Sequence, residues 1–119
     1  MIDLHKPHLN KNSFKYIKNC LKTGYVSTSG NYVKKFESEI NKRLNSKYSI
    51  AVNSGSSALY LALKLSNTKY GDEILVQTLT FISPINAILQ NNLCPIFMDV
   101  DNNFNIDQEK TIDFINTNT

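Results

Sequence analysis

The stretch Tyr48-Ser-Ile-Ala-Val-Asn-Ser-Gly-Ser-Ser-Ala-Leu-Tyr-Leu-Ala-Leu-Lys-Leu65 decides the fold. Tyr48 to Val52 reads as a short buried strand, and Asn53 to Ser57 as a turn. Ala58 to Leu65 is apolar nearly all round, as in a helix buried on most sides. A strand running through a tight small-residue turn into a helix is the first half of a βαβ unit.

The same rhythm continues downstream. Lys69 to Asp72 is a turn and Glu73 to Val76 a second strand. Ser83-Pro84 marks a helix start, a capping serine followed by a proline that needs no N–H there, and the helix runs to about Asn91. Pro95 to Met98 is a third strand, ending at Asp99. Asp107 caps a last helix carrying Ile112 and Ile115. The order β-α-β-α-β-α with short connections predicts parallel strands with right-handed crossovers. Upstream, Phe14, Ile17 and Leu21 recur at helical spacing. Asn12 or Ser13 can cap that helix, and Gly24 can close it. Val33, Phe36, Ile40 and Leu44 form the stripe of a second helix. Both stripes read as core packing. The expected organisation is one α/β domain over residues 1–119. It has an N-terminal helical arm over 1–46 and a partial three-layer sandwich over 47–119.

Composition narrows the function. The 119 residues are 41% hydrophobic and 19% charged, which is globular composition. Thirteen basic and ten acidic residues give a net charge of +3, spread along the chain. That excludes a basic nucleic-acid tail as the main theme. No stretch approaches the roughly 20 apolar residues of a membrane span, and the first residues hold no apolar signal core, so a cytoplasmic protein is expected. Cys20 and Cys94 belong to no CxxC pair and read as buried, reduced thiols. His5 and His8 lack further ligands, so no metal site is expected.

Parallel sheets bind ligands at the carboxyl ends of their strands. That rule selects the loops 53–57 and 77–83. In the first, Gly55 lets a ligand oxygen approach the backbone, Ser56 and Ser57 carry hydroxyls, and the helix start offers unpaired N–H groups. This is the chemistry of a phosphate cradle, although an ordinary serine cap has the same spacing. No Walker lysine follows, and one glycine replaces the three of a dinucleotide loop. Gln77, not an acid, ends the second strand. A compact phosphate ester remains. In the second loop Phe81 can be core, or a plate for a flat ring. A cradle beside a plate suggests a phosphorylated planar heterocycle such as pyridoxal 5′-phosphate.

Six motifs then occur in order: Thr23-Gly-Tyr-Val-Ser27; Gly30 with Val33 and Phe36-Glu37; Ala51 to Leu59; Gly71-Asp-Glu73; Thr80-Phe81; and Pro95-Ile-Phe-Met-Asp99. Together they resemble the N-terminal part of the DegT-type nucleotide-sugar aminotransferases, pyridoxal-phosphate enzymes of the aspartate-aminotransferase fold. The resemblance covers nearly the whole chain and looks closest to the branch that aminates 4-keto-6-deoxy sugars of UDP-N-acetylglucosamine type, for bacillosamine or legionaminic-acid-like glycans. It implies that Gly55, Ser56 and Ser57 hold the cofactor phosphate, that Phe81 stacks on its ring, and that Tyr25 to Gly30 lies near the sugar nucleotide. It also implies an amino donor, glutamate, a ping-pong reaction and a homodimer, with no nucleic-acid or membrane partner.

Ser56 stands where the family commonly has Thr, and Gln77 where it has Pro. Asn45 and Asn92 stand where it often has Gly, a replacement that the left-handed tolerance of Asn permits. No lysine here matches the family's Schiff-base lysine, which is expected beyond residue 119 with the acid that pairs with the pyridine nitrogen. Lys110 and the other lysines read as solvated charges. The expectation is an N-terminal fragment, silent in catalysis by itself. Two alternatives stay open: a pyridoxal-phosphate sugar dehydratase of the same fold, and a non-catalytic module that binds a phosphorylated metabolite or a partner chain.

Overall fold

A computed structural model describes residues 6–118, so His5 lies outside the described residues. The chain divides into two compact units at the Ala51–Val52 bond.

The first unit holds α1 (Lys11–Thr23) and α2 (Asn31–Leu44). Asn10, rather than Asn12 or Ser13, caps α1: its Oδ1 accepts from the Ser13 N–H at 3.1 Å and lies 3.3 Å from the Ser13 hydroxyl. The cap sits two or three positions earlier because Ser13, at N3, supplies the N–H that the cap accepts. Gly24 closes α1 in the left-handed region at φ 73°, as the sequence indicates. Asn45 closes α2 at φ 49°, so asparagine does take the conformation glycine usually supplies. Gly30 precedes α2 with φ 146° and ψ 168°, a region open essentially only to glycine. The two apolar stripes face each other only in part. Phe14, Ile17, Leu21, Phe36 and Leu44 remain exposed. Two helices alone cannot enclose a face, so the stripes wall an open groove instead of filling a core.

The segment 48–52 does not form the expected strand. It has no ladder partner, and Tyr48 and Ile50 are each 76% exposed. Its one long-range tie is the Ala51 N–H, which donates to Glu37 Oε1 on α2 at 2.9 Å.

The second unit runs α3 (Gly55–Leu65), β1 (Glu73–Gln77), α4 (Ile82–Gln90), β2 (Cys94–Met98) and α5 (Gln108–Asn118). β1 and β2 pair in parallel, Glu73 opposite Cys94 through Gln77 opposite Met98. α4 is their crossover. It packs on both strands and on α3. Among the described residues the buried apolar side chains are Ala87, Ile88, Leu93 and Met98, so the core sits between α4 and the ladder. Asn91 locks α4 to α3: its Nδ2 donates to the Tyr60 carbonyl at 3.1 Å and to Ala87 at 2.8 Å. α3 buries only the face toward α4, leaving Leu59, Leu61 and Leu65 exposed, because no other element of the unit covers it. Both strands start from one pinned turn. The Gly71 N–H bonds the Asn92 carbonyl and the Cys94 N–H bonds the Asp72 carbonyl, each at 2.9 Å. Asn92, at φ 58°, makes another left-handed asparagine turn.

Both cysteines are free thiols, but neither is buried. Cys20 is half-buried in α1 and Cys94 is exposed at the first position of β2. Asp107 caps α5 as expected, accepting from the Lys110 N–H at 3.1 Å.

Candidate functional site

The carboxyl end of β1 feeds Thr78–Phe81 and then α4, while α3 starts from Asn53-Ser54. Ser54 is the α3 N-cap, and its hydroxyl accepts from the Ser57 N–H at 3.2 Å. The Ala58 N–H bonds the Ser54 carbonyl at 3.1 Å. The N–H groups of Gly55 and Ser56 are the orphan donors of the helix start and have no hydrogen-bond partner among the described residues. A Cβ placed on Gly55 would meet no atom beyond its chain neighbours and its own helix within 4 Å, so the glycine borders open space.

α4 begins two residues earlier than Ser83-Pro84 suggests. Phe81 is the N-cap residue, with no side-chain bond to the helix, and Pro84 stands third in the first turn. Proline is tolerated there because none of the first-turn N–H groups has an intrahelical acceptor. Released from capping, Ser83 turns toward α3, and the Ser56 hydroxyl donates to Ser83 Oγ at 2.9 Å. That bond brings the positive ends of two helices together.

The structure therefore assembles Gly55, Ser56 and Ser57 on one helical turn and adds Ser83 to them. Phe81 stands two residues before Ser83. It is 87% exposed, outside the core, with Gln77, Leu79 and Thr80 around a hollow of about 400 Å³. Ser83 escaped the sequence reading as a site residue. Its signal was there: a serine at the switch-end loop of the next strand, assigned to capping alone.

Charge lies elsewhere. Lys110 is exposed yet paired, bonding Asp99 at 2.6 Å and approaching Asp107 at 3.5 Å. The Lys110 hydrogen bond, helped by the Val100 N–H and by the Lys110 charge, holds the Asp99 carboxyl below its usual value. The same bond raises Lys110. A roomier hollow, about 610 Å³, is the mainly apolar groove of the first unit, between Ile17, Leu21, Val26 and Phe36, with Tyr16, Tyr32, Lys35 and Glu39 also in its lining. The α3–α4 ends, where backbone N–H groups and hydroxyls gather at two helix starts, are the better candidate for holding an anion. Among the described residues no group of three His, Cys, Asp or Glu side chains could hold a metal ion, and no helix is long and apolar enough to cross a membrane.

Known proteins share this sequence pattern and fold. GDP-perosamine synthase of Vibrio cholerae is 35% identical over 101 residues, covering 85% of this chain and 28% of that protein. The spore coat polysaccharide biosynthesis protein SpsC of Bacillus subtilis is 37% identical over 105 residues, covering 87% and 27%. Among solved structures, the E. coli GDP-4-keto-6-deoxy-D-mannose-3-dehydratase with bound hydrated PLP superposes with a TM-score of 0.80. It is 31% identical over 92% of this chain and 30% of that one. The chain thus spans under a third of the length of these relatives. The family model for the DegT/DnrJ/EryC1/StrS aminotransferases, enzymes that work with pyridoxal 5′-phosphate, matches residues 7–119. By that match the chain belongs to the DegT/DnrJ/EryC1/StrS aminotransferase family.

Proposed function

We propose that this chain holds the cofactor phosphate and ring of a sugar-nucleotide aminotransferase. The observation that carries the reading is the pair of unpartnered N–H groups, Gly55 and Ser56, opening onto free space where the starts of α3 and α4 are joined by the Ser56–Ser83 bond. A phosphate ester suits that place. Two backbone donors and two helix dipoles meet its charge, and the absence of a Cβ lets its oxygens approach. The Gly55 and Ser56 N–H groups would hold the phosphate, and Ser57, bonded to Ser54 and Asn53, would fix the turn around it. The exposed face of Phe81, at the cap of the same α4, would lie against the pyridine ring and set its tilt. When bound, pyridoxal 5′-phosphate supplies the electron sink through which an amino group moves between an amino acid and a keto sugar.

The substrate class in this reading is a 4-keto-6-deoxy sugar nucleotide, with glutamate as amino donor and a homodimeric assembly. The perosamine synthase relatives support the substrate class, and the family resemblance supports the donor and the dimer. Because no lysine of the chain sits at the α3–α4 ends, turnover in this reading needs residues that the 119 do not supply. Dehydration of the same class of sugar is a second reading, favoured by the 31% identity and 0.80 TM-score to the dehydratase. Both readings use the same phosphate and ring contacts.

The test is Gly55→Pro. Proline is favoured at the first helical position, and extended Ser54 (φ −157°, ψ 158°) is compatible with a following proline. The change keeps the helix but deletes a donor and fills the approach. Binding of pyridoxamine 5′-phosphate, followed by its fluorescence, should weaken by about 1.5–3 kcal/mol, the range for hydrogen bonds to charged groups. Helix content by circular dichroism should stay constant. Undiminished binding in this variant refutes the phosphate assignment, and a non-catalytic module that binds phosphate-free partners would then take its place.

A further inference from the structure

A hydroxyl has one hydrogen to donate and two lone pairs to accept with. Counting those hydrogens around the α3–α4 ends gives a definite result. Ser57 donates to Asn53 Oδ1 at 2.8 Å, since a carbonyl oxygen can only accept. The Ser54 and Ser57 hydroxyls are 3.0 Å apart, and with the Ser57 hydrogen committed to Asn53, Ser54 is the donor of that contact. Ser56 donates to Ser83 at 2.9 Å. Three of the four serine hydrogens are therefore used inside the site. The Ser83 hydrogen alone is unassigned.

We propose that Ser83 is the serine that gives its hydroxyl hydrogen to the phosphate ester, and that Ser56 is a positioning residue acting through it. The inference rests on reading the α3–α4 ends as the phosphate site. Ser56 contributes a backbone N–H to the ligand and spends its side chain on holding Ser83 Oγ. Accepting that bond polarises the Ser83 O–H and makes it a stronger donor. Ser83 stands second in the first turn of α4, where the helix dipole favours an anion. Ser57 and Ser54 keep the loop closed over Asn53 and leave no hydrogen for a ligand.

The experiment is a double-mutant cycle on the full 119-residue chain. Its probe is pyridoxamine 5′-phosphate, with phosphate-free pyridoxamine as control. This ligand lacks an aldehyde and leaves surface lysines untouched. Ser83→Ala should weaken binding by about tenfold, and Ser83→Cys, similar in shape with only a weak donor, by nearly as much. Ser83→Thr should restore it. Ser56→Ala should cost less than Ser83→Ala. The double variant should cost less than the product of the two single losses, because both act on one hydrogen-bond chain. The phosphorus-31 shift of the bound probe should move with Ser83→Ala and return with Ser83→Thr, which a loss of packing alone would not reproduce. Wild-type affinity in Ser83→Ala and Ser83→Cys, with the tenfold loss in Ser56→Ala, overturns the assignment to Ser83 and leaves the phosphate site standing. A wild-type chain that binds pyridoxamine as tightly as its phosphate overturns both.

Discussion

Replacing Gly30 by alanine should destabilise the first unit by about 1–3 kcal/mol, the range for a non-glycine residue held in a glycine-only backbone region. The backbone there has φ 146° and ψ 168°. A new Cβ would also stand 3.2 Å from Tyr25 Cβ, 3.6 Å from its Cγ and 3.7 Å from its Cδ1. The Tyr25 ring is exposed and can swing away, but its Cβ is fixed by the backbone, so the closest contact is not relieved by a rotamer change. The stiffening of the unfolded chain by alanine, about 0.4–1 kcal/mol, acts in the opposite direction and does not reverse the sign. Gly24→Ala is the control. Its φ is 73° and its Cβ meets nothing within 4 Å, so it reports backbone strain alone, about 1–2 kcal/mol. Urea unfolding followed by circular dichroism should rank wild type above Gly24→Ala and Gly24→Ala above Gly30→Ala. A Gly30→Ala chain as stable as wild type refutes the argument from this backbone region.

Glu37→Gln should loosen the segment that joins the two units. Its Oε1 accepts the Ala51 N–H at 2.9 Å, and exchange of that amide with deuterium should quicken by roughly tenfold, the measure of a bond to a charged group weakened by about 1.5 kcal/mol. An unchanged exchange rate means Glu37 does not hold it. Lys110→Met should let the Asp99 carboxyl rise toward its ordinary value of 3.8, read by carbon NMR titration. A lowered carboxyl pKa stabilises the fold above the unfolded value and loses that contribution as the pH falls through the folded value. The raised Lys110 contributes below 10.5 and is lost as the pH climbs through its folded value. The pair is exposed, so added salt should shrink both shifts. A titration of Asp99 indifferent to Lys110 refutes the pairing.

Elements set by local chemistry were legible in the sequence. The capping role of Asp107, the left-handed stops at Gly24 and Asn45, and the two strands with their intervening helix follow from residue type and spacing. What spacing could not supply was the partner. Tyr48 to Val52 has the composition of a strand, yet a strand exists only when a neighbour takes its hydrogen bonds, and none does. The stripes of α1 and α2 have helical period, but burial needs a third surface. The site divides the same way. In the proposed phosphate site, Gly55, Ser56 and Ser57 were readable because they are contiguous at the start of a helix. Ser83 was not, because the part proposed for it arises from a bond between residues 27 apart. The cysteines were misjudged for a related reason: residue type gives an average burial, and Cys94 sits on an uncovered position of β2.

A chain that divides at Ala51–Val52 need not melt as one cooperative body. Tyr16, Tyr25, Tyr32 and Tyr48 report on the first unit, and Tyr60 and Tyr70 on the second. The α3–α4 ends belong wholly to the second. A phosphate ester captured there adds its binding free energy to that unit alone, by mass action. Saturating ligand should therefore pull one composite transition apart, with the second unit moving to higher temperature while the first stays where it was.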